Sequence, residues 1–283
     1  MTILLSHSTW GMPTVSIDTA VAHCAALGFD GLEMTVVPRW PTNAADLDTA
    51  ERKRIRKLYD DHNLILSGLS GATPLLTADP ESATEHLARV KTYLDLAAEM
   101  QHPGEKLTVS SVSGGTEADW ETRKHELVER YGTLAAYAEQ VGALISMEPH
   151  IGAALHLPEQ SVWLVEQINS PALRIHLDIS HFNIRGLDMD KVIELVVPYS
   201  AHMHVKDERG LAPNHEFLIP GEGEMDYVRY LRALDKAGYH GHVATEISIA
   251  VQRRPDYDPL AAATQSYRVL SQAFTEAGLD RKV

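Results

Sequence analysis

The chain has 283 residues, 44% of them hydrophobic, and a net charge of −14 at pH 7. This length fits one large hydrophobic core, and the acidic balance disfavours binding to nucleic acid or to an anionic membrane. The single cysteine, Cys24, excludes an intramolecular disulfide and a metal cluster built on thiolates. No stretch reads as a signal peptide or a membrane span, so we expect a soluble cytoplasmic protein.

Short apolar runs alternate with helix-like stretches along the chain. Strands are predicted at residues 3–7, 31–36, 64–68, 106–110, 143–148, 173–178, 201–204 and 242–246. Helices are predicted at residues 17–27, 46–62, 83–100, 119–140, 159–168, 190–196, 227–236 and 260–277. Eight strand–helix units in this length predict an α/β fold, a (β/α)8 TIM barrel that forms a single domain over residues 1–283.

Four of the predicted strands end in a side chain that can bind a metal ion: Glu148, Asp178, His204 and Glu246. In a closed parallel barrel the carboxyl ends of all strands meet at one mouth, so these side chains can converge on one ion. Three carboxylates and one imidazole suit a hard or borderline divalent cation such as Mn²⁺ or Mg²⁺, with Zn²⁺ as an alternative. The sequence therefore predicts a metal centre at the barrel mouth.

Polar and apolar side chains alternate along the same strands, which supports this placement because side chains two residues apart share a face. His176 shares the face of Asp178, and His202 shares the face of His204, whereas Leu177 lies in the opposite, apolar phase. A purely structural barrel fills its interior with Val, Ile and Leu instead. We expect His176 and His202 to lie one layer below the metal, buried and hydrogen-bonded.

Six segments together resemble one known family. They read Gly28-Phe-Asp-Gly-Leu-Glu33, Met147-Glu-Pro-His150, Leu177-Asp-Ile-Ser-His181, His202-Met-His-Val-Lys-Asp207, Pro220-Gly-Glu-Gly-Glu-Met-Asp226 and Gly238-Tyr-His-Gly-His-Val-Ala-Thr-Glu246. Over nearly its whole length the chain resembles the xylose isomerase-like TIM-barrel superfamily, especially its sugar phosphate isomerase/epimerase group. The resemblance implies that the four strand-end side chains hold one divalent ion, with Mn²⁺ expected and Mg²⁺, Zn²⁺ and Co²⁺ as alternatives.

The resemblance also implies an enzyme acting on a small-molecule sugar or cyclic polyol that carries a ketone. The ion would chelate the carbonyl oxygen, and Glu148 and Glu246 would transfer a proton through an enediolate, as in an isomerase or epimerase. One alternative is a lyase with His150 as the base, either a 3-dehydroshikimate- or inosose-type dehydratase or a subunit that cleaves the C–C bond of 3-keto C-glycosides. A non-catalytic barrel that binds metal or sugar is the alternative from another class.

Further side chains near the mouth are candidates for substrate contact: His181, Glu33, His7, Trp10, Lys206 and Arg209. The resemblance implies that His181 contacts a substrate oxygen. For Glu33, the alternatives are binding of a substrate hydroxyl and a salt bridge to a lysine or arginine of the barrel. Loop packing is the alternative for His7 and Trp10, and Lys206 is equally suited to neutralising the buried carboxylates.

Endonuclease IV shares the barrel but carries extra histidines on strands three and four, where this chain reads Ser67-Gly-Leu-Ser70 and Ser110-Ser-Val-Ser113. Together with the acidic charge, this argues against DNA repair. A homo-oligomer and a complex with a partner subunit are both compatible with the sequence.

Overall fold

The computed structural model describes residues 2–281, and within them eight parallel strands close into a barrel. The barrel strands are β1 (Ile3–Ser8), β2 (Gly31–Thr35), β3 (Ile65–Leu76), β4 (Thr108–Gly114), β5 (Leu144–Glu148), β6 (Leu173–Asp178), β7 (Ser200–Val205) and β10 (Gly241–Thr245). An antiparallel hairpin of β8 (Asp207–Arg209) and β9 (Glu216–Leu218) follows β7. Because β1 pairs with both β2 and β10, the sheet has no free edge, and the predicted TIM barrel is confirmed.

Helices surround the barrel. The longer ones are α1 (Ile17–Leu27), α2 (Thr49–Asp61), α3 (Pro80–Met100), α4 (Trp120–Val141), α5 (Pro158–Ile168), α7 (Met189–Val196), α8 (Tyr227–Lys236) and α10 (Pro259–Ala277), and the short ones are α6 (Ser180–Asn183) and α9 (Ile249–Gln252). Single 3₁₀ turns occur at Thr9–Gly11, Ala44–Asp46, Glu117–Asp119 and Val197–Tyr199. Among residues 2–281, no helix combines the length and the apolar character needed to cross a bilayer.

Local sequence explains where the first helix begins and ends. The side chain of Ser16 accepts a hydrogen bond from the backbone N–H of Thr19, which satisfies one of the free donors at the start of α1. Gly28 ends the helix at φ 94°, a left-handed conformation that a residue with a Cβ rarely adopts. The helix bounds therefore match the predicted residues 17–27.

Two strands extend well beyond their predicted ends, since β3 and β4 run on to Leu76 and Gly114 instead of ending at residues 68 and 110. The other strands match the predicted bounds to within one residue at each end. The segment after Gly68 contains glycine and proline, residues typical of turns, yet its backbone continues to pair with β4. The pairing register shifts between Ser70 and Pro74, so an irregularity absorbs the residues that interrupt the strand pattern.

The predicted inward and outward phases of the strands hold. Ile145, Met147 and Leu177 are fully buried in the core cluster that includes side chains of the surrounding helices. On the inner face, Asp178 of β6 pairs in register with His204 of β7, and His176 pairs with His202 two residues earlier. The barrel interior therefore holds two layers of polar side chains, one below the other.

Candidate active site

The four predicted ligands converge at the mouth of the barrel. One ligand atom from each of them lies within 4.8 Å of the others, and all four side chains are buried: Glu148, Asp178, His204 and Glu246. Three come from β5, β6 and β7, and Glu246 directly follows β10, so the closed parallel sheet is what brings them together. The cluster offers oxygen and nitrogen donors to a single cation.

His204 is oriented by a carboxylate on the far side of its ring. Its Nε2 lies 2.8 Å from Oε2 of Glu33, which also accepts a hydrogen bond from Ser8. Its Nδ1 lies 3.9 Å from Oε2 of Glu246 and has no hydrogen-bond partner among residues 2–281. A metal-binding histidine typically has one nitrogen held by an outer carboxylate and the other free, so His204 fits a ligand role.

Lys206 provides the positive charge next to the cluster. Its Nζ lies 2.8 Å from Oδ2 of Asp178 and also donates to Oε2 of Glu246. The other oxygen of Asp178 accepts hydrogen bonds from the backbone N–H and the hydroxyl of Ser180, at 3.0 and 2.6 Å. The two salt bridges agree with the alternative role predicted for Lys206, which is to neutralise the buried carboxylates.

The pKa shifts follow from burial and these contacts. Burial alone would lower the pKa of His204, but the Glu33 carboxylate and other nearby carboxylates raise it to about 9. Burial alone would raise the pKa of Glu33, but His204, His202 and Ser8 lower it to about 2. The carboxylates around Lys206 likewise outweigh its burial and hold its pKa above the usual value.

Two histidines lie beside the carboxylates. Nε2 of His181 is 3.5 Å from Oδ2 of Asp178 and 3.6 Å from Oε1 of Glu148, and its ring is buried on α6. The His150 ring lies with its centroid 3.9 Å from that of His181. Burial is the main cause of the lowered pKa of His181, with His150 the next.

A cavity of about 390 Å³ opens above the carboxylates, within the range of small-molecule sites. Its polar lining includes Glu148, Glu246, His150 and Lys206. Its walls are mainly apolar, including Trp10, Ala72, Val112, Ala153, Phe217, Ile249 and Ala250. The indole of Trp10 stacks on Trp40 with ring centroids 4.5 Å apart, which fixes this part of the wall.

The remaining candidates lie outside the cavity lining. His7 is fully buried in β1 and its Nδ1 contacts the hydroxyl of Thr245. Arg209 is half exposed, with its guanidinium 3.8 Å from the carboxylate of Glu216. Glu33 is 1% exposed and pairs with histidines rather than with a lysine or arginine.

Sequence reasoning missed Phe217, which lies on β9. Its ring is 5.4 Å from that of His181, and Nζ of Lys206 lies 5.0 Å from its centroid. Asp207 orders the turn that follows β9, because its Oδ2 accepts from the backbone N–H groups of Gly221 and Gly223 at 2.7 and 3.0 Å. The contact joins two motifs of the sequence, Asp207 and Gly221-Glu-Gly223. Together they were the available sequence signal for an ordered hairpin that carries Phe217 to the site.

A family model described as "Xylose isomerase-like TIM barrel" matches residues 21–272. The chain belongs to this family. It is 24% identical over 240 residues to D-psicose 3-epimerase of Enterocloster bolteae, covering 78% of this chain and 73% of that one. It is also 24% identical over 268 residues to an inosose dehydratase of Geobacillus thermodenitrificans, covering 82% of each chain.

Among solved structures, the fold is similar to that of the IOLI protein with a binding zinc atom, at a TM-score of 0.80 and 19% identity. The match covers 97% of this chain and 99% of that one. The relatives of this chain therefore include a sugar epimerase and an inosose dehydratase, which are enzymes that act on small sugars or polyols.

Proposed function

We propose that this protein is a divalent-metal-dependent isomerase or epimerase acting on a keto-sugar or on a cyclic polyol that carries a ketone. The proposal rests mainly on one observation: Glu148 and Glu246 both line the cavity and both belong to the four-residue ligand cluster. The similarity to D-psicose 3-epimerase supports a sugar substrate.

The proposed ion is Mn²⁺, with Mg²⁺, Zn²⁺ and Co²⁺ as alternatives. Its ligands would be Glu148, Asp178, His204 and Glu246. The zinc-bound IOLI protein, which shares the fold, supports a divalent ion here. When bound, the ion supplies Lewis-acid polarisation of the substrate ketone, which makes the neighbouring C–H more acidic.

The two glutamates are the proposed proton-transfer groups. One carboxylate takes the proton from the carbon next to the ketone, and the position and face to which a proton returns decide between isomerisation and epimerisation. Lys206, a buried donor beside Glu246, would donate to the substrate oxygen that gains negative charge. His181 would contact a substrate hydroxyl, and Trp10 would cover one face of the sugar.

A lyase is the second candidate because of the position of His150. Its ring lines the cavity, and its Nδ1 is 2.7 Å from the carbonyl oxygen of Ile151. Since a carbonyl only accepts hydrogen bonds, Nδ1 carries the proton and a neutral ring keeps its lone pair on Nε2. That nitrogen is suited to removing a proton before a leaving group departs, and the inosose dehydratase relative supports this chemistry.

The product formed by His150→Ala separates the two reactions. We expect wild type to interconvert a keto-sugar with its isomer or epimer, and His150→Ala to raise KM while retaining turnover, because the glutamates remain. Product analysis by NMR would favour the lyase if wild type released an unsaturated or cleaved product and the variant, with normal metal content, released none. A protein that binds metal but converts no member of a keto-sugar and keto-polyol panel would favour the non-catalytic barrel.

A further inference from the structure

A second cluster of metal-binding side chains lies beneath the carboxylates. One ring nitrogen from each of His176, His202 and His204 lies within 4.8 Å of the others, and all three residues are at most 2% exposed. The ring centroid of His176 is 4.0 Å from that of His204 and 5.1 Å from that of His202. The in-register pairing of β6 with β7 produces this arrangement, since it aligns His176 with His202.

His176 lacks the protein partners that a buried imidazole needs. Neither ring nitrogen of His176 has a hydrogen-bond partner among residues 2–281, and Nε2 of His202 has none in the same part of the chain. Nearly all buried polar groups in folded proteins are paired, because an unpaired one loses its hydration without replacement. The expected hydrogen bonds of His176 are therefore not made by protein groups among residues 2–281, and a bound water or cation would pair its nitrogens.

A carboxylate adds negative charge to the same layer. Oε1 of Glu33 lies 3.4 Å from Nε2 of His202, and Oε2 lies 2.8 Å from Nε2 of His204. Three imidazoles with one carboxylate form a nitrogen-rich donor set, which suits borderline ions such as Zn²⁺, Co²⁺ and Cu²⁺. The site above differs in kind, because three of its four ligand side chains are carboxylates.

We propose that His176, His202 and His204 form a second cation site for a Zn²⁺-class ion, with Glu33 as its carboxylate donor. His204 is common to both clusters, with Nε2 beside Glu33 and Nδ1 towards Glu246. A cation bound at Nε2 would replace the proton that Glu33 accepts there, and Glu33 would change from hydrogen-bond acceptor to ligand. The site does not depend on the carboxylates above it, so removing those carboxylates leaves its donors in place.

The test uses the full chain with Asp178→Asn and Glu246→Gln, which weakens the upper site and keeps His204. Cu²⁺ serves as the probe, and electron paramagnetic resonance counts the nitrogens coupled to it. We expect one tightly bound Cu²⁺ per chain with three coupled nitrogens. No tight binding, or a single coupled nitrogen, would overturn the proposal and leave a hydrated or proton-binding cluster instead.

Adding His176→Leu to this variant should weaken Cu²⁺ binding by at least ~100-fold, the upper end of the loss caused by removing an outer partner of a ligand. His240→Gln, which removes an exposed imidazole, is the matched control and should leave binding unchanged. Unchanged affinity in His176→Leu would also overturn the proposal. Circular dichroism checks that each variant folds. If His176→Leu does not fold, His202→Leu takes its place with the same expected and contradicting results.

Discussion

Individual side chains in the barrel have their charge states set by neighbours on other strands. His204 and Glu33 illustrate this, because each is fully buried and, in the metal-free chain, each favours the charged form of the other, with pKa values of about 9 and about 2. A metal ion at Nδ1 would take the place of the proton on that nitrogen. Such a pair leaves Nδ1 of His204 directed at the carboxylate site in a fixed orientation. Loss of the Glu33 charge would therefore change the orientation and protonation of His204, although Glu33 does not line the cavity.

His7 should make stability depend on pH, because burial is the main cause that lowers its pKa from 6.5 to about 3. Between these two values the unfolded chain binds a proton that the folded chain does not, so the free energy of unfolding falls as pH falls from about 6.5 towards 3. Asn in place of His7 keeps a hydrogen-bonding group near the position of Nδ1 but cannot titrate.

We expect His7→Asn to reduce the slope of unfolding free energy against pH by up to about 1.4 kcal/mol per pH unit, the contribution of one proton. Urea unfolding at several values between pH 6.5 and 4.5 measures the slope. His240→Gln, at an exposed histidine, is the control and should keep the wild-type slope. An unchanged slope in His7→Asn would mean that His7 titrates alike in both states.

The ligand cluster was predictable from sequence because each member lies at or within one residue of a strand end, and parallel strands end at one mouth. The histidine partners of Glu33 were not predictable from sequence. In the barrel order β1 and β10 separate β2 from β7, so side chains of β2 and β7 meet only across the barrel interior. Strand periodicity says that Glu33 and His204 both point inward. It does not say which inward side chains touch.

Among elements, the long and regular ones were predictable and the short ones were not. The barrel strands follow from apolar runs, and the main helices from their periodicity and their caps. The hairpin strands β8 and β9 have three residues each, and α6 and α9 have four, so none is long enough for its hydrophobic pattern to repeat. These elements nevertheless carry Phe217, His181 and Ile249 to the site.

The turn after β9 should be intolerant of a side chain at Gly223. A Cβ there would lie 2.5 Å from the backbone oxygen of Glu208 and would clash with the Asp207 carboxylate that organises the turn. We expect Gly223→Ala to lower the unfolding free energy by about 1–3 kcal/mol, as overpacking does. It should also raise KM for the substrate, because Phe217 lies on the hairpin.

Gly132→Ala is the matched control for this element, because a Cβ at that position in α4 meets nothing within 4 Å. In a helix interior this change should stabilise the protein by about 0.5–1 kcal/mol. Urea unfolding of both variants gives the comparison. Equal stability of the two variants would show that Asp207 tolerates displacement from the turn.

At the scale of the whole molecule, an ion at the mouth should link metal binding to folding. Three carboxylates face each other there, and Lys206 offsets only part of their repulsion. An ion that binds only the folded chain adds about 2.7 kcal/mol of stability at 100 times its Kd. We expect a chelator to lower the Tm, and to lower it further in Lys206→Met, where the ammonium is also missing.

Differential scanning calorimetry with and without chelator measures this linkage, and elemental analysis identifies the ion. If the chelator leaves the Tm of both proteins unchanged and elemental analysis finds no divalent metal, a metal centre is contradicted. A larger chelator effect in wild type than in Lys206→Met would contradict the charge balance described for the site.

The proposed chemistry at the barrel mouth is the transfer of a proton, by the metal-binding carboxylates, at the carbon next to a ketone. Its most direct test is the rate of deuterium uptake at that carbon, followed by NMR in D₂O over a panel of keto-sugars and keto-polyols. We expect wild type with Mn²⁺ to exchange the proton of at least one panel member, and chelator to abolish the exchange. Glu246→Gln, with its fold intact, should exchange at least ~10²-fold more slowly. Exchange that persists in chelator, or that proceeds at the wild-type rate in Glu246→Gln, would contradict the account.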